Sequence, residues 1–310
     1  LALKTKLFGP DDTDVAWTLN GMANLAKETG EFAEARSLFE RTLAIRRKVF
    51  GEDHILVARS MNNLGHHLLL MGEYADASRY LESALAVEKT VVGEDSSDAS
   101  MSQLNLARLS RTTGDFKRAL EFYRNSLRIR EKILSADDPV LANTLSELAR
   151  LHAERGEHPE SEVLFRQALA ILRTNLAADP SSSSTEREYA AVLNGLGGVL
   201  LETHRLEDAR TLFEQALQIR ERSFRPDHPT VAESLEGLAG VYRQSGDLDA
   251  AEAASRRVLQ IRVSALGSAH PLTALAHRDL GLLLARRRDV KGALDSALAA
   301  ERIGREHLRL

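Results

Sequence analysis

The chain has 310 residues, 43% of them apolar and 28% charged, and 41 Lys and Arg against 45 Asp and Glu leave a net charge of −4. That balance makes no global electrostatic case for nucleic acid, and the absence of Cys excludes disulfides and thiolate chemistry and suits a reducing compartment, taken here as the cytoplasm. No apolar run approaches the roughly 18 residues that span a bilayer, and the first residues do not read as a signal peptide.

Residues 1–9, LALKTKLFG, repeat the pattern of residues 43–51, LAIRRKVFG, which reads as the tail of a helix. Segment 1–12 is therefore the end of a preceding repeat whose first helix is absent, and the natural protein is expected to be longer. The first complete unit starts at Thr13 and carries Gly30 in its middle. The same unit recurs around Gly72, Gly114, Gly156 and Gly246, at spacings of 42, 42, 42 and 90. His204 stands where the long gap needs an anchor, and Arg288 takes the anchor after Gly246. Seven units of one period describe a stacked repeat array, not a single-core globule.

Each unit predicts two helices. Eight residues before the anchor stand Met22, Leu64, Leu106, Leu148, Leu196, Leu238 and Leu280; seven before it stand Ala23, Gly65, Ala107, Ala149, Gly197, Ala239 and Gly281. Fifteen after it come Ile45, Val87, Ile129, Ile171, Ile219, Ile261 and Ile303. Large apolar residues at helical spacing, with small ones where backbones approach, fit a helical hairpin turned at the anchor. Asp12, His54, Ser96, Asp138, His228 and His270 read as N-caps, three of them followed by Pro. Gly9, Gly51, Gly93 and Gly267 read as C-terminal stops.

Segment 13–180 thus holds repeats one to four and 187–310 repeats five to seven. Between them a six-residue insertion, placed at 181–186 in the stretch DPSSSST, predicts a loop, with Thr185 and Glu188 as a capping box that restarts the helix. Repeat seven is degenerate, with Ala297 where earlier second helices carry Phe39, Leu81, Tyr123, Phe165 or Phe213.

No catalytic, nucleotide or calcium motif is present, and no cofactor is expected. His66 and His67 are neighbours on a helix and point about 100° apart, so His66 is expected to face a groove and His67 the core, with no shared metal. His54, His228 and His270 recur once per unit as caps. Gly195-Leu196-Gly197-Gly198 falls inside a first helix and follows no strand, so it is not a dinucleotide loop. Arg286, Arg287 and Arg288 read as a solvated turn.

The remaining polar signal lies on the first helices. Ten, nine, six and three residues before the anchors stand Asn20 and Asn24, then Asn62, Asn63 and His66, then Asn105, Arg108 and Arg111, then Arg150, then Asn194. These offsets share one side of the helix, away from the core Leu, and are expected to be exposed. Asn pairs with a peptide backbone whatever the peptide sequence, and Arg pairs with carboxylates through its planar fork. The expected partner is a protein or extended peptide carrying Asp or Glu, with no nucleic acid and no membrane.

The repeats resemble tetratricopeptide repeats. The 42-residue period, Met61-Asn62-Asn63-Leu64, Ala216-Leu217-Gln218-Ile219 and the joint Asp227 to Ala232 resemble the kinesin light chain subclass. The resemblance implies an all-α, right-handed superhelical solenoid of seven helix pairs plus the partial leading helix. It implies a non-enzymatic scaffold that holds a peptide or protein segment on its concave face. Asn63 and Asn105 match the position of a cargo-holding Asn ladder, which Glu147, Gly195, Gly237 and Asp279 then interrupt. The resemblance leaves a second role open: a regulatory array within a larger bacterial protein, controlling a caspase-like peptidase domain.

Overall fold

The computed structural model describes residues 1–307, with the side chains at 28, 306 and 307 outside the description. Residues 308–310 of the last expected segment lie outside the described residues. Fifteen helices and no strand occur among the described residues. A short α1 (Ala2–Phe8) leads. Seven hairpins follow: α2 (Thr13–Thr29) with α3 (Phe32–Phe50), α4 (Ile55–Leu70) with α5 (Tyr74–Val91), α6 (Ser97–Thr112) with α7 (Phe116–Ile133), α8 (Pro139–Glu154) with α9 (His158–Ala178), α10 (Ser183–Glu202) with α11 (Leu206–Ser223), α12 (Pro229–Ser245) with α13 (Leu248–Leu266), and α14 (Pro271–Arg286) with α15 (Val290–His307).

The chain forms two compact units, Leu1–Ala136 and Asp137–Leu310. In each, every helix packs on the next, and the first helices of successive hairpins also touch: α4 with α6 in the first unit, α8 with α10 and α10 with α12 in the second. Those contacts lay the first helices side by side as a wall. The cores follow the repeat positions. Phe39, Leu64, Leu81 and Leu106 share one buried cluster in the first unit, and Val231, Leu235, Val258 and Ile261 share another in the second. Met22 departs from its six Leu counterparts. It is 36% exposed where each of them is at most 4%, because the short α1 buries none of its own residues and leaves that side of α2 open.

The seven hairpin turns are set by a left-handed residue. Gly30, Gly72, Gly114, Gly156 and Gly246 have φ between 76° and 86°, and His204 (φ 59°) and Arg288 (φ 65°) adopt the same conformation despite their Cβ atoms. The joints follow the expected caps. Asp12, His54, Ser96, Asp138, His228 and His270 each accept a backbone N–H of the following helix. Gly9, Gly51, Gly93 and Gly267 close helices with positive φ.

The Ser-rich stretch corrects the sequence reading. Only residues 179–182 are non-helical there, and α10 starts at Ser183 with Ser182 as its N-cap, so 183–186 is helix rather than loop. Thr185 is buried three residues inside the N-cap and bonds Ser182 Oγ at 2.8 Å, so no capping box forms with Glu188. The additional residues lengthen helices: α9 has 21 residues and α10 has 20, against 16 to 18 in α4 to α8. Ser is a tolerable residue in a first helical turn, where its hydroxyl substitutes for missing backbone partners.

Candidate functional site

The first-helix wall carries polar side chains in both units, but with different chemistry. In the first unit the Asn residues bond one another across repeats. Asn63 Nδ2 donates to Asn20 Oδ1 at 3.0 Å, and one repeat later Asn105 Nδ2 donates to Asn62 Oδ1 at 3.0 Å. Each pair joins the position ten before one anchor to the position nine before the next. Asn62 and Asn105 are only 7% and 3% exposed. The expectation that they stand on the open surface is thereby corrected: adjacent first helices approach closely enough for the amides to satisfy each other. Asn24, half-buried, donates to Asn20 O at 3.0 Å and accepts from Lys27 at 3.5 Å. Arg108 reaches Asn105 Oδ1 at 3.4 Å. His66 and Arg111 are half-buried on the same helices, whereas His67 is fully buried against Phe32 and Phe39. Burial pushes the His67 imidazole below its ordinary range.

In the second unit the wall opens into a groove of about 600 Å3. Arg150 of α8, Arg187, Ala191, Asn194 and Gly195 of α10, and Thr230, Glu233 and Glu236 of α12 line it, with Arg220 and Phe224 at its floor. Arg150 and Arg187 are exposed, and the Arg187 guanidinium lies over the Phe224 ring at 5.8 Å. Gly195 is small for a reason of packing: a Cβ there would meet the Phe165 ring at 2.6 Å. Burial, aided by the nearby Arg150 charge, pushes the Arg220 guanidinium below its ordinary value, and Glu233 works against that shift at 2.9 Å. Burial likewise raises the Glu236 carboxyl, opposed by its ion pair with Arg262. Of the expected site residues, Arg150 and Asn194 thus meet in this groove; the others belong to the first unit.

Sequence reasoning missed the charges behind the wall. Sixteen residues after the anchors stand Arg46, Glu88, Arg130, Arg220 and Arg262, and the first four are at most 4% exposed. Arg46 Nη1 donates to Ser60 Oγ at 2.8 Å, Arg130 Nε to Ser100 Oγ at 3.3 Å and Arg220 Nη1 to Ser234 Oγ at 3.1 Å. Ser234 in turn donates to Asn194 Oδ1 at 2.9 Å. A buried charge therefore supports the polar wall through a first-helix serine, that of the next hairpin for Arg46 and Arg220 and that of its own hairpin for Arg130. The signal was present as an Arg that directly follows the apolar residue fifteen after the anchor in four of seven repeats.

No group of His, Asp and Glu among the described residues is arranged to hold a metal ion, and no described helix is long and apolar enough to cross a membrane. What the site offers is hydrogen-bonding amides, guanidinium groups and an open groove, a binding surface in character.

The tetratricopeptide repeat model matches residues 1–48, 14–89, 98–174, 188–262 and 235–306, and a second model of the same description matches 62–132. No curated protein matches the sequence. Among solved structures, BtubC (BKLC) of P. vanneervenii is 24% identical with a TM-score of 0.60, covering 77% of this chain and 92% of that one. A kinesin light chain-like protein of Podospora anserina with nearly identical TPR-like repeats is also 24% identical, with a TM-score of 0.55 and coverage of 69% and 98%. The quorum sensor NprR of B. thuringiensis in its apo form is 15% identical with a TM-score of 0.71, covering 92% and 75%. At these identities the likeness is one of fold, and the tandem family matches supply the classification: the chain is a member of the tetratricopeptide repeat family, similar to its kinesin light chain-like proteins.

Proposed function

We propose that the chain is a protein-interaction scaffold acting in the cytoplasm, whose first-helix face holds an extended peptide or protein segment bearing Asp or Glu. The groove of the second unit is its main seat. The observation that carries this reading is the pair of exposed guanidinium groups, Arg150 and Arg187, over a 600 Å3 groove that also presents Asn194. Arg220 and Glu236 in the same groove already have partners in Glu233 and Arg262, so the added positive charge comes from Arg150 and Arg187. A carboxylate between them forms charge-assisted hydrogen bonds. In the first unit Asn20, Asn24, Asn63, His66, Arg108 and Arg111 supply a second polar wall for the same kind of ligand, backed by the buried Asn62–Asn105 pair. No reaction is assigned to the chain.

The test is selection from a displayed random-peptide library against the folded protein. Enriched sequences should carry Asp or Glu, and Arg150→Glu with Arg187→Glu should weaken them roughly tenfold or more, about 1.4 kcal/mol, with helicity unchanged. Raised salt should weaken them as well. Enrichment without acidic residues, or unchanged affinity in the double variant, would overturn the reading. A sensor array that controls a catalytic domain is a second reading, favoured by the likeness to a protein described as a quorum sensor; a ligand-dependent change in an attached domain would distinguish it.

A further inference from the structure

We infer that the Ser102 hydroxyl couples protonation of the Glu88 carboxyl to the hydrogen bonding of the Asn62–Asn105 pair, which makes the first-unit wall a pH-responsive surface. The inference rests on the wall being a binding face for its functional meaning, but not for the coupling itself.

Glu88, on α5, is the one acidic residue among the buried charges sixteen after the anchors. Its side chain is 1% exposed, and Oε2 has no hydrogen-bond partner. Ser102, fully buried on α6, donates to Asn62 Oδ1 at 3.2 Å and stands beside the carboxyl, where its hydroxyl favours the ionised form. Asn62 Oδ1 is the atom that accepts from Asn105. A serine hydroxyl has one hydrogen, so it cannot donate to a carboxylate and to Asn62 at once. With Glu88 ionised, the Ser102 hydrogen belongs to the carboxylate, and Asn62 Oδ1 retains only Asn105. With Glu88 protonated by solvent, the carboxyl O–H donates to Ser102 Oγ, and the Ser102 hydrogen turns to Asn62.

The second unit provides the comparison. There the equivalent chain is Arg220 to Ser234 to Asn194. A guanidinium is a donor at every accessible pH, so Ser234 always accepts from Arg220 and always has its hydrogen free for Asn194. Glu88 removes that constancy in one repeat.

The groups facing Glu88 are Arg59 from α4 and Asp98 and Ser102 from α6. Arg59 and Asp98 are engaged with each other through two bonds of 2.7 and 2.9 Å. Arg59 favours the carboxylate and Asp98 opposes it, and burial, the largest influence, raises the carboxyl to about 7. The switch therefore lies where an ordinary change of pH operates it. Above that point Asn62 Oδ1 is bonded by Asn105 alone, which loosens the buried pair that backs the wall.

The experiment follows the side-chain amide resonances of Asn62 and Asn105 in protein labelled with nitrogen-15 asparagine, from pH 5 to pH 9, with no ligand. Both should shift together with a common midpoint near 7. The transition should vanish in Glu88→Gln, in Ser102→Ala, which keeps the carboxyl but removes the relay, and in Glu88→Arg, which copies the other repeats. Flat resonances in the wild-type protein would overturn the coupling. So would a transition that survives in Ser102→Ala, since that would assign it to His66, one helical turn from Asn62. Ser102→Ala decides the matter even where a Glu88 variant fails to fold. A peptide-selection failure at the groove leaves this result standing, and the reverse also holds.

Discussion

The Phe224 ring stacks on the imidazole of His228 at 4.2 Å and 17°, so the residue that floors the groove also supports the cap of α12. His228 Nδ1 accepts from the Thr230 backbone N–H at 3.3 Å and meets Thr230 Oγ1 at 2.8 Å. That role needs an unprotonated Nδ1. Burial, with Arg225 adding to it, pushes the imidazole below its ordinary range. The folded state therefore binds this proton less readily than the unfolded chain does. The contribution is complete above about pH 6.5 and is lost as pH falls through the depressed folded value. His228→Asn keeps a capping side chain that does not titrate. It should retain the cap, worth about 1 kcal/mol, and flatten the loss of thermal stability on acidification in a pH series of melting curves.

Glu88 has the opposite sign. Its carboxyl is raised from 4.5 to about 7, so its contribution is present below 4.5 and lost as pH rises through 7. A rise of that size corresponds to about 3 kcal/mol. Glu88→Gln should accordingly melt higher than the wild type at pH 8, with the gap closing towards pH 5. Equal melting temperatures at pH 8 would show that the buried carboxylate is stabilised in a way its surroundings do not reveal.

His204 and Arg288 hold left-handed conformations that carry a cost of about 1–2 kcal/mol for residues with a Cβ. Glycine occupies the same turn in the other five repeats. His204→Gly and Arg288→Gly should each stabilise the protein by about 1 kcal/mol, net of the greater freedom of glycine in the unfolded chain. His204→Gly should gain less, because it gives up the 3.1 Å contact between His204 and Gln244. Chemical denaturation of the two variants measures the difference.

Helical glycines divide into two kinds. A Cβ on Gly65 would stand 2.7 Å from Leu81 Cγ, whereas one on Gly198 would meet nothing within 4 Å. Gly65→Ala should destabilise the first unit by about 1–3 kcal/mol through overpacking. Gly198→Ala should stabilise the second by about 0.5–1 kcal/mol through helix propensity. Denaturation midpoints of the pair check both signs.

The hairpins, their turns and their caps were legible in the sequence because each depends on residues within one unit. Gly30 needs only its own backbone to turn, and Asp138 caps α8 through Val140, two residues away. Even the anchors without glycine, His204 and Arg288, were legible from spacing alone. The Ser-rich stretch was misread because serine composition argues for a loop, while the length of α9 and α10 is decided by what they pack against. The wall was half legible. Its residues were found, but the exposure of Asn62 and Asn105 depends on the distance between neighbouring first helices, which periodicity does not encode. Arg46, Glu88 and Arg220 were overlooked because a charged residue on an amphipathic helix ordinarily faces water, and their serine partners lie in the next repeat.

Those partners make the repeat boundary a poor place to cut. The charge at the end of one hairpin and the serine at the start of the next are halves of one joint, and the joints are not interchangeable: Arg46 with Ser60, Glu88 with Ser102, Arg220 with Ser234. A shuffled array cut at the turns between hairpins would separate these three pairs, and a carboxylate moved opposite an unmatched neighbour would be left stranded in the interior. Cuts within the hairpins, at the left-handed anchors, would carry these three joints across intact, with Gly114 the anchor to avoid because Arg130 bonds Ser100 across it. The natural exchangeable block is therefore the second helix of one repeat together with the first helix of the next.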